Sequence, residues 1–158
     1  MKKLLVLRHA KSSWANVQES DLERGLNARG VKDLMKMAKR LRNYDCQPEI
    51  CLSSPALRTK LTALAVLDIF ENPIKIIEPN ELYLANIQSL KKEISHSFKQ
   101  YNFIMLVGHN PGLTNMFNQC CKNRLDNLPT LGCYLLQFEN WPSWKAKLLF
   151  IDYPKKFR

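Results

Sequence analysis

Two short apolar runs, each unbroken and each ending near a histidine, constrain this chain more than any other feature. Leu4-Leu5-Val6-Leu7 leads into Arg8-His9, and Phe103-Ile104-Met105-Leu106-Val107 leads into Gly108-His109-Asn110-Pro111-Gly112. Apolar runs of this length without polar alternation read as strands buried on both faces, as in a parallel sheet covered by helices. Ligand sites in open α/β sheets lie just past the carboxyl ends of the strands. Both histidines fall there. One histidine at a strand end is ordinarily a hydrogen-bonded structural residue, whereas a second copy of the arrangement argues for a shared site.

The rest of the chain alternates in the same way. A polar loop from Lys11 to Asn27 precedes a helix over Ala28 to Asn43, with Val31, Leu34, Met35, Ala38 and Leu41 at helical spacing. Glu49 to Leu52 is a short strand entering Ser53-Ser54-Pro55. Ser54 is placed to cap the next helix, which runs to Phe70, and Pro55 suits its start. Ile74 to Ile77 reads as a strand, Ile87 to Lys99 as a helix, and Pro111-Gly112 open another helix toward Cys121. Tyr134 to Phe138 and Lys145 to Ile151 read as two strands joined by the segment from Glu139 to Trp144. The expected fold is α/β: one domain over residues 1–158, a three-layer αβα sandwich whose mostly parallel central sheet has an antiparallel edge.

Composition narrows the partners. A net charge of +10 favours an anionic partner, although Lys32, Lys36, Lys39, Arg40 and Arg42 also suit a solvated helix face. Cys46, Cys51, Cys120, Cys121 and Cys133 form no CxxC pair, so the expectation is a reducing, cytoplasmic setting without a disulfide framework. The apolar start breaks at Arg8, too early for a signal peptide, and no run reaches the length of a membrane span. A nucleic-acid-binding module would interleave aromatic and basic residues along a groove. Trp141, Trp144, Lys145 and Lys147 are the only hint of that, so neither a nucleic-acid nor a membrane partner is expected.

Arg8-His9, Ser53-Ser54-Pro55-Ala56-Leu57-Arg58 and Gly108-His109-Asn110 come from three strand ends. Arg58 falls in the first turn of its helix, where a cation opposes the helix dipole and a bound anion would relieve it. Two arginines and two histidines make a donor-rich pocket suited to a phosphoryl group. Nothing resembles a Walker loop, a GxGxxG turn or a clustered metal site, so no metal or other cofactor is expected.

The sequence from Leu7 to Trp14 resembles the signature of the histidine phosphatase superfamily, also called phosphoglycerate mutase-like. The resemblance continues through Ser53 to Arg58 with Thr62-Ala63, and through Val107 to Gly112. Within that superfamily the chain is similar to the short phosphohistidine phosphatases of the SixA type, through Arg8-His9-Ala10-Lys11-Ser12 and the stretch from Asp21 to Gly30. The resemblance implies a phosphatase in which His9 is the nucleophile and becomes a transient phosphohistidine. It implies that Arg8, Arg58 and His109 hold the equatorial oxygens, with Ser12, Arg24 and Asn110 as further substrate contacts. Glu81, after the third strand, stands where relatives with ester substrates often carry a catalytic acid.

Two departures concern the rim of the site. Ala15 follows Trp14 where much of the superfamily has Asn, and Gly25 stands where the SixA-like group often shows Pro. His96, among polar residues, reads as a surface side chain. The expected substrate is phosphohistidine on a phosphorylated protein, and the alternative is a small phosphate ester.

Overall fold

The computed structural model of the chain describes residues 1–156. Its strands are β1 (Lys2–Arg8), β2 (Ile50–Ser53), β3 (Ile76–Ile77), β4 (Phe103–Gly108), β5 (Cys133–Phe138) and β6 (Lys147–Asp152). Its helices are α1 (Ala28–Leu41), α2 (Leu57–Leu67), α3 (Ile87–Phe98) and α4 (Gly112–Cys120). The strands form one sheet in the order β3-β2-β4-β1-β5-β6. The pairs β1–β4, β2–β4 and β2–β3 are parallel, while β5 runs antiparallel to β1 and β6 antiparallel to β5. This is the three-layer, mostly parallel arrangement with an antiparallel edge that the alternation of elements implies.

Burial on both faces explains the unbroken apolar runs. Leu4, Val6, Ile104 and Leu106 pack with Leu90 and Ile94 of α3 and Met116 of α4. Their neighbours Leu5, Leu7, Met105 and Val107 pack on the other face with Leu34, Met37 and Leu41 of α1 and Val66 of α2. Successive strand side chains alternate between the two layers, so neither register can carry polar residues. The same pairing levels the strand ends: Arg8 lies opposite Gly108, and Ser53 opposite Val107.

Several elements differ from the sequence expectation. The buried stripe of α1 is Gly30, Leu34, Met37 and Leu41, while Val31 and Met35 are exposed. The two stripes overlap at Leu34 and Leu41, and periodicity alone does not separate them. Helix α2 ends at Leu67, three residues before Phe70, and the third strand is only Ile76–Ile77. Ser54 does not cap α2: Ala56 holds the N-cap position without a side-chain bond, because the Ser54 hydroxyl meets a ring nitrogen of His109 instead. Helices α1 and α3 do carry side-chain caps, from Asn27 to Gly30 and from Asn86 to Ser89.

The first turn of α1 is pressed against the loop that follows β1. The Asn27 amide donates to the Lys11 carbonyl, and a Cβ on Gly30 would meet that same carbonyl oxygen at 2.2 Å. Helix propensity alone favours Gly30→Ala by about 1 kcal/mol. The backbone clash reverses the sign, and a destabilisation of about 1–3 kcal/mol is expected. Urea denaturation of Gly30→Ala checks this; an unchanged or higher midpoint would show that the loop yields freely.

Candidate active site

A cavity of about 210 Å³ opens beyond the carboxyl ends of β1, β2 and β4, and Arg8, His9, Arg24, Arg58 and His109 all line it. The levelled strand ends deliver Arg8-His9 and His109, and the first turn of α2 delivers Arg58. His9 is buried, and its Nδ1 lies 2.7 Å from the Ala10 carbonyl oxygen. A carbonyl only accepts, so Nδ1 carries the proton and Nε2 keeps its lone pair. The ring centroid of His109 lies 5.4 Å away. His109 Nδ1 faces Arg58 Nη2 at 3.5 Å, and its Nε2 lies 2.7 Å from Ser54 Oγ. Arginine only donates, so His109 Nδ1 is the acceptor and Nε2–H donates to Ser54.

The arginines are held from behind. Arg8 Nη1 donates to the Leu128 carbonyl at 2.9 Å, while Arg58 donates through Nη1 to the Asp21 carbonyl and through Nη2 to Asp21 Oδ2. In each arginine Nε is buried without an acceptor. Leaving such a donor unpaired costs ~1–3 kcal/mol.

Burial is the main cause of the low basicity of both histidines. His9 is lowered to about 4 by burial and then by Arg58, Arg8 and Arg24, against the raising effect of its bond to Ala10. His109 is lowered to about 3 by burial, then by Arg58 and His9. Both imidazoles are therefore neutral near pH 7. Burial also raises all five thiols, none of which forms a disulfide, so no cysteine competes as a thiolate nucleophile.

The remaining residues singled out in the sequence divide. Ser12 and Arg24 line the cavity, but Ser12 Oγ accepts from Arg24 Nη1 at 2.7 Å and so anchors that side chain. Arg24 is only 6% exposed and its guanidinium lies 3.5 Å from the centroid of the Trp14 ring. Asn110 reaches the cavity edge with its amide occupied: Nδ2 donates to Asn127 Oδ1 and the Leu128 carbonyl, and Oδ1 accepts from Thr114. Glu81 is not brought in. It sits exposed on the 3-10 turn Asn80–Leu82 and does not line the cavity. His96 is exposed, as read.

Sequence reasoning missed the carboxylate that does belong to the cluster. Asp21, on a 3-10 turn in the loop after β1, accepts from Arg24, Arg58 and the Tyr83 hydroxyl. The Tyr83 bond first, then Arg24 and Arg58, hold its carboxyl down at about 2. Its position three residues before Arg24 was visible, but nothing in the spacing connects it to Arg58 or Tyr83.

A sequence profile described as "Histidine phosphatase superfamily (branch 1)" matches residues 4–120. The chain belongs to the histidine phosphatase superfamily. An uncharacterised chloroplastic protein of Arabidopsis thaliana is 32% identical over 120 residues, covering 70% of this chain and 55% of that protein. The chain thus spans about half the length of that curated relative. A crystal structure described as a candidate phosphohistidine phosphatase SixA from Agrobacterium tumefaciens is 28% identical, with a TM-score of 0.85 over 97% of this chain and 98% of that one. The protein histidine phosphatase SixA in complex with tungstate is 18% identical, with a TM-score of 0.83 over 96% and 97% of the two chains. The fold is phosphoglycerate mutase-like, and the chain is similar to these SixA-type structures over nearly its whole length. Among the described residues no helix is long and apolar enough to cross a membrane.

The depressed histidines link the stability of the fold to pH. Unfolded histidine titrates near 6.5, so between there and about 4 the unfolded chain binds protons that folded His9 does not. Stability is fully present above that window and is lost as pH falls through it. NMR of the imidazole nitrogens should show His9 neutral at pH 6 as the Nδ1–H tautomer. A charged ring at that pH would contradict the assignment.

Proposed function

We propose that this protein is a phosphohistidine phosphatase, removing the phosphoryl group from an imidazole on a phosphorylated protein by way of a phosphohistidine at His9. One observation carries the reading: the cavity gathers a neutral imidazole, a second imidazole, three arginines and Lys11, and among the described residues no carboxylate lines it. Asp21 is engaged by Arg24, Arg58 and Tyr83, and Glu81 lies outside. An alkoxide leaving a phosphate ester needs a proton in the transition state, and a positioned acid contributes typically ~10²–10⁴-fold. An imidazole leaving from phosphohistidine can carry its proton beforehand. A cavity without an acid therefore suits a P–N bond better than a P–O bond.

In the first step His9 Nε2 attacks phosphorus as the bond to the substrate imidazole breaks; that ring, already protonated on its other nitrogen, takes the P–N electron pair and departs as neutral imidazole. Arg8 and Arg58 hold equatorial oxygens, with the Leu128 carbonyl and Asp21 fixing the two guanidinium planes from behind, and His109 turns its Nε2–H from Ser54 to a third oxygen when the anion binds. In the second step water attacks the same phosphorus, Nε2 leaves, and the water proton passes to the departing phosphate. A neutral His9 is required for the attack, and its environment keeps it so. The tungstate bound to the SixA structure is a tetrahedral oxyanion of the shape this clamp would take. Five free thiols suit a reducing compartment, and we place the activity in the cytosol, with a phosphorylated protein as partner.

Side-by-side kinetics on a phosphohistidine peptide and an alkyl phosphate ester test the proposal. We expect kcat/KM for phosphohistidine to exceed that for the ester by at least about a hundredfold, the scale of a missing acid. Glu81→Gln should change neither. Fast ester turnover with negligible phosphohistidine turnover would move the enzyme to the small-molecule class.

A further inference from the structure

Beside the catalytic cavity lies a second groove of about 310 Å³, between the segment 84–88 and one face of α4. The two hollows share Leu84 as a common wall, and Asn110 of the first is followed directly by Pro111 of the second. Gly112 forms the floor. A Cβ there would meet the Ala85 carbonyl oxygen at 2.2 Å, so α4 starts in direct backbone contact with the opposite wall.

Three properties of the groove are unusual for this chain. None of its lining residues is charged, although 24% of the chain is. Its polar groups are carboxamides; those of Gln88, Asn115 and Gln119 are exposed and make no hydrogen bond among the described residues, while Asn86 commits its oxygen to the Ser89 amide. Leu84 holds a left-handed backbone, φ +48°, with its side chain 56% exposed. Such a conformation costs on the order of 1–3 kcal/mol, and here no burial of the leucine offsets it.

A carboxamide presents a donor and an acceptor together, the match for a peptide group. Asn115 and Gln119 are four residues apart on α4, so they lie on one face with Cβ atoms about 5–6 Å apart. That approaches the roughly 6.6 Å repeat of every second residue in an extended chain. From Gly112 to Gln119 the helix rises about 10 Å, room for about three extended residues. An acidic surface or a nucleic acid would find no countercharge here.

We infer that the groove from Leu84 to Gln119 is a subsite for the extended, uncharged polypeptide segment on one side of the phosphohistidine. This rests on the phosphohistidine reading of the neighbouring cavity. Leu84 packs against the first flanking residue, and the amides of Asn115 and Gln119 pair with the backbone beyond it.

The test compares free phosphohistidine with peptides carrying about three neutral residues on the amino side only, the carboxyl side only, or neither. Wild-type enzyme should favour one of the one-sided peptides through KM. The double variant Asn115→Ala, Gln119→Ala should raise KM for that peptide roughly tenfold, the factor of two ordinary hydrogen bonds, and leave kcat and the turnover of free phosphohistidine unchanged. Gln88→Ala, on the other wall, should act in the same direction. Equal KM for all substrates, or variants that slow free phosphohistidine as much as the peptide, would overturn the groove while leaving the cavity's chemistry in place. A wild-type enzyme that turns over no phosphohistidine substrate at all would overturn both.

Discussion

The parallel pairing of β1 with β4 is the constraint on which the site depends. Its register sets Arg8 opposite Gly108, so the residues that follow, His9 and His109, emerge side by side. Each strand is fixed in that register by burial on both faces, because a slip of one residue would exchange two complete sets of core side chains. The same pairing continues to β2, where Ser53 opposite Val107 sets the level at which Ser54 meets His109 and α2 brings in Arg58. Catalytic geometry here is a by-product of core packing.

Around that frame the electrostatics are arranged in opposition. Burial, with Arg58 and Arg8, keeps both imidazoles neutral, while Asp21 partly offsets the arginine charge without entering the cavity. A nucleophilic histidine needs this balance. Too little positive charge would let the ring take a proton, and too little negative charge behind Arg58 would leave its guanidinium free to turn. Asp21 also ties the loop after β1 to Tyr83 on the far wall, so the two sides of the cavity share one carboxylate.

What could be read from the sequence was what the hydrophobic pattern fixes. The strand ends, and with them Arg8, His9, Arg58 and His109, follow from apolar runs whose length and flanks admit one reading. The rim was not legible. Glu81 sits in a loop like Asp21, and only the 3-10 turn at Asn80–Leu82 decides that the first stays outside while Tyr83 and Leu84 face the site. Asn110 and Ser12 line the cavity with polar atoms that bond to Asn127, Leu128, Thr114 and Arg24. Pairings of this kind join residues far apart in the chain, and no local spacing encodes them. The two candidate stripes on α1 fail to separate for a similar reason, since contacts with distant sheet residues choose between them.

The central claim is that His9 Nε2 takes the phosphoryl group. Rapid-quench turnover of a labelled phosphohistidine substrate, followed by mapping of the modified residue, tests it directly. The account predicts acid-labile, alkali-stable label on His9, formed and lost at the rate of turnover, and both label and hydrolysis absent in His9→Ala. Turnover that persists in His9→Ala, or label on another residue, would contradict it.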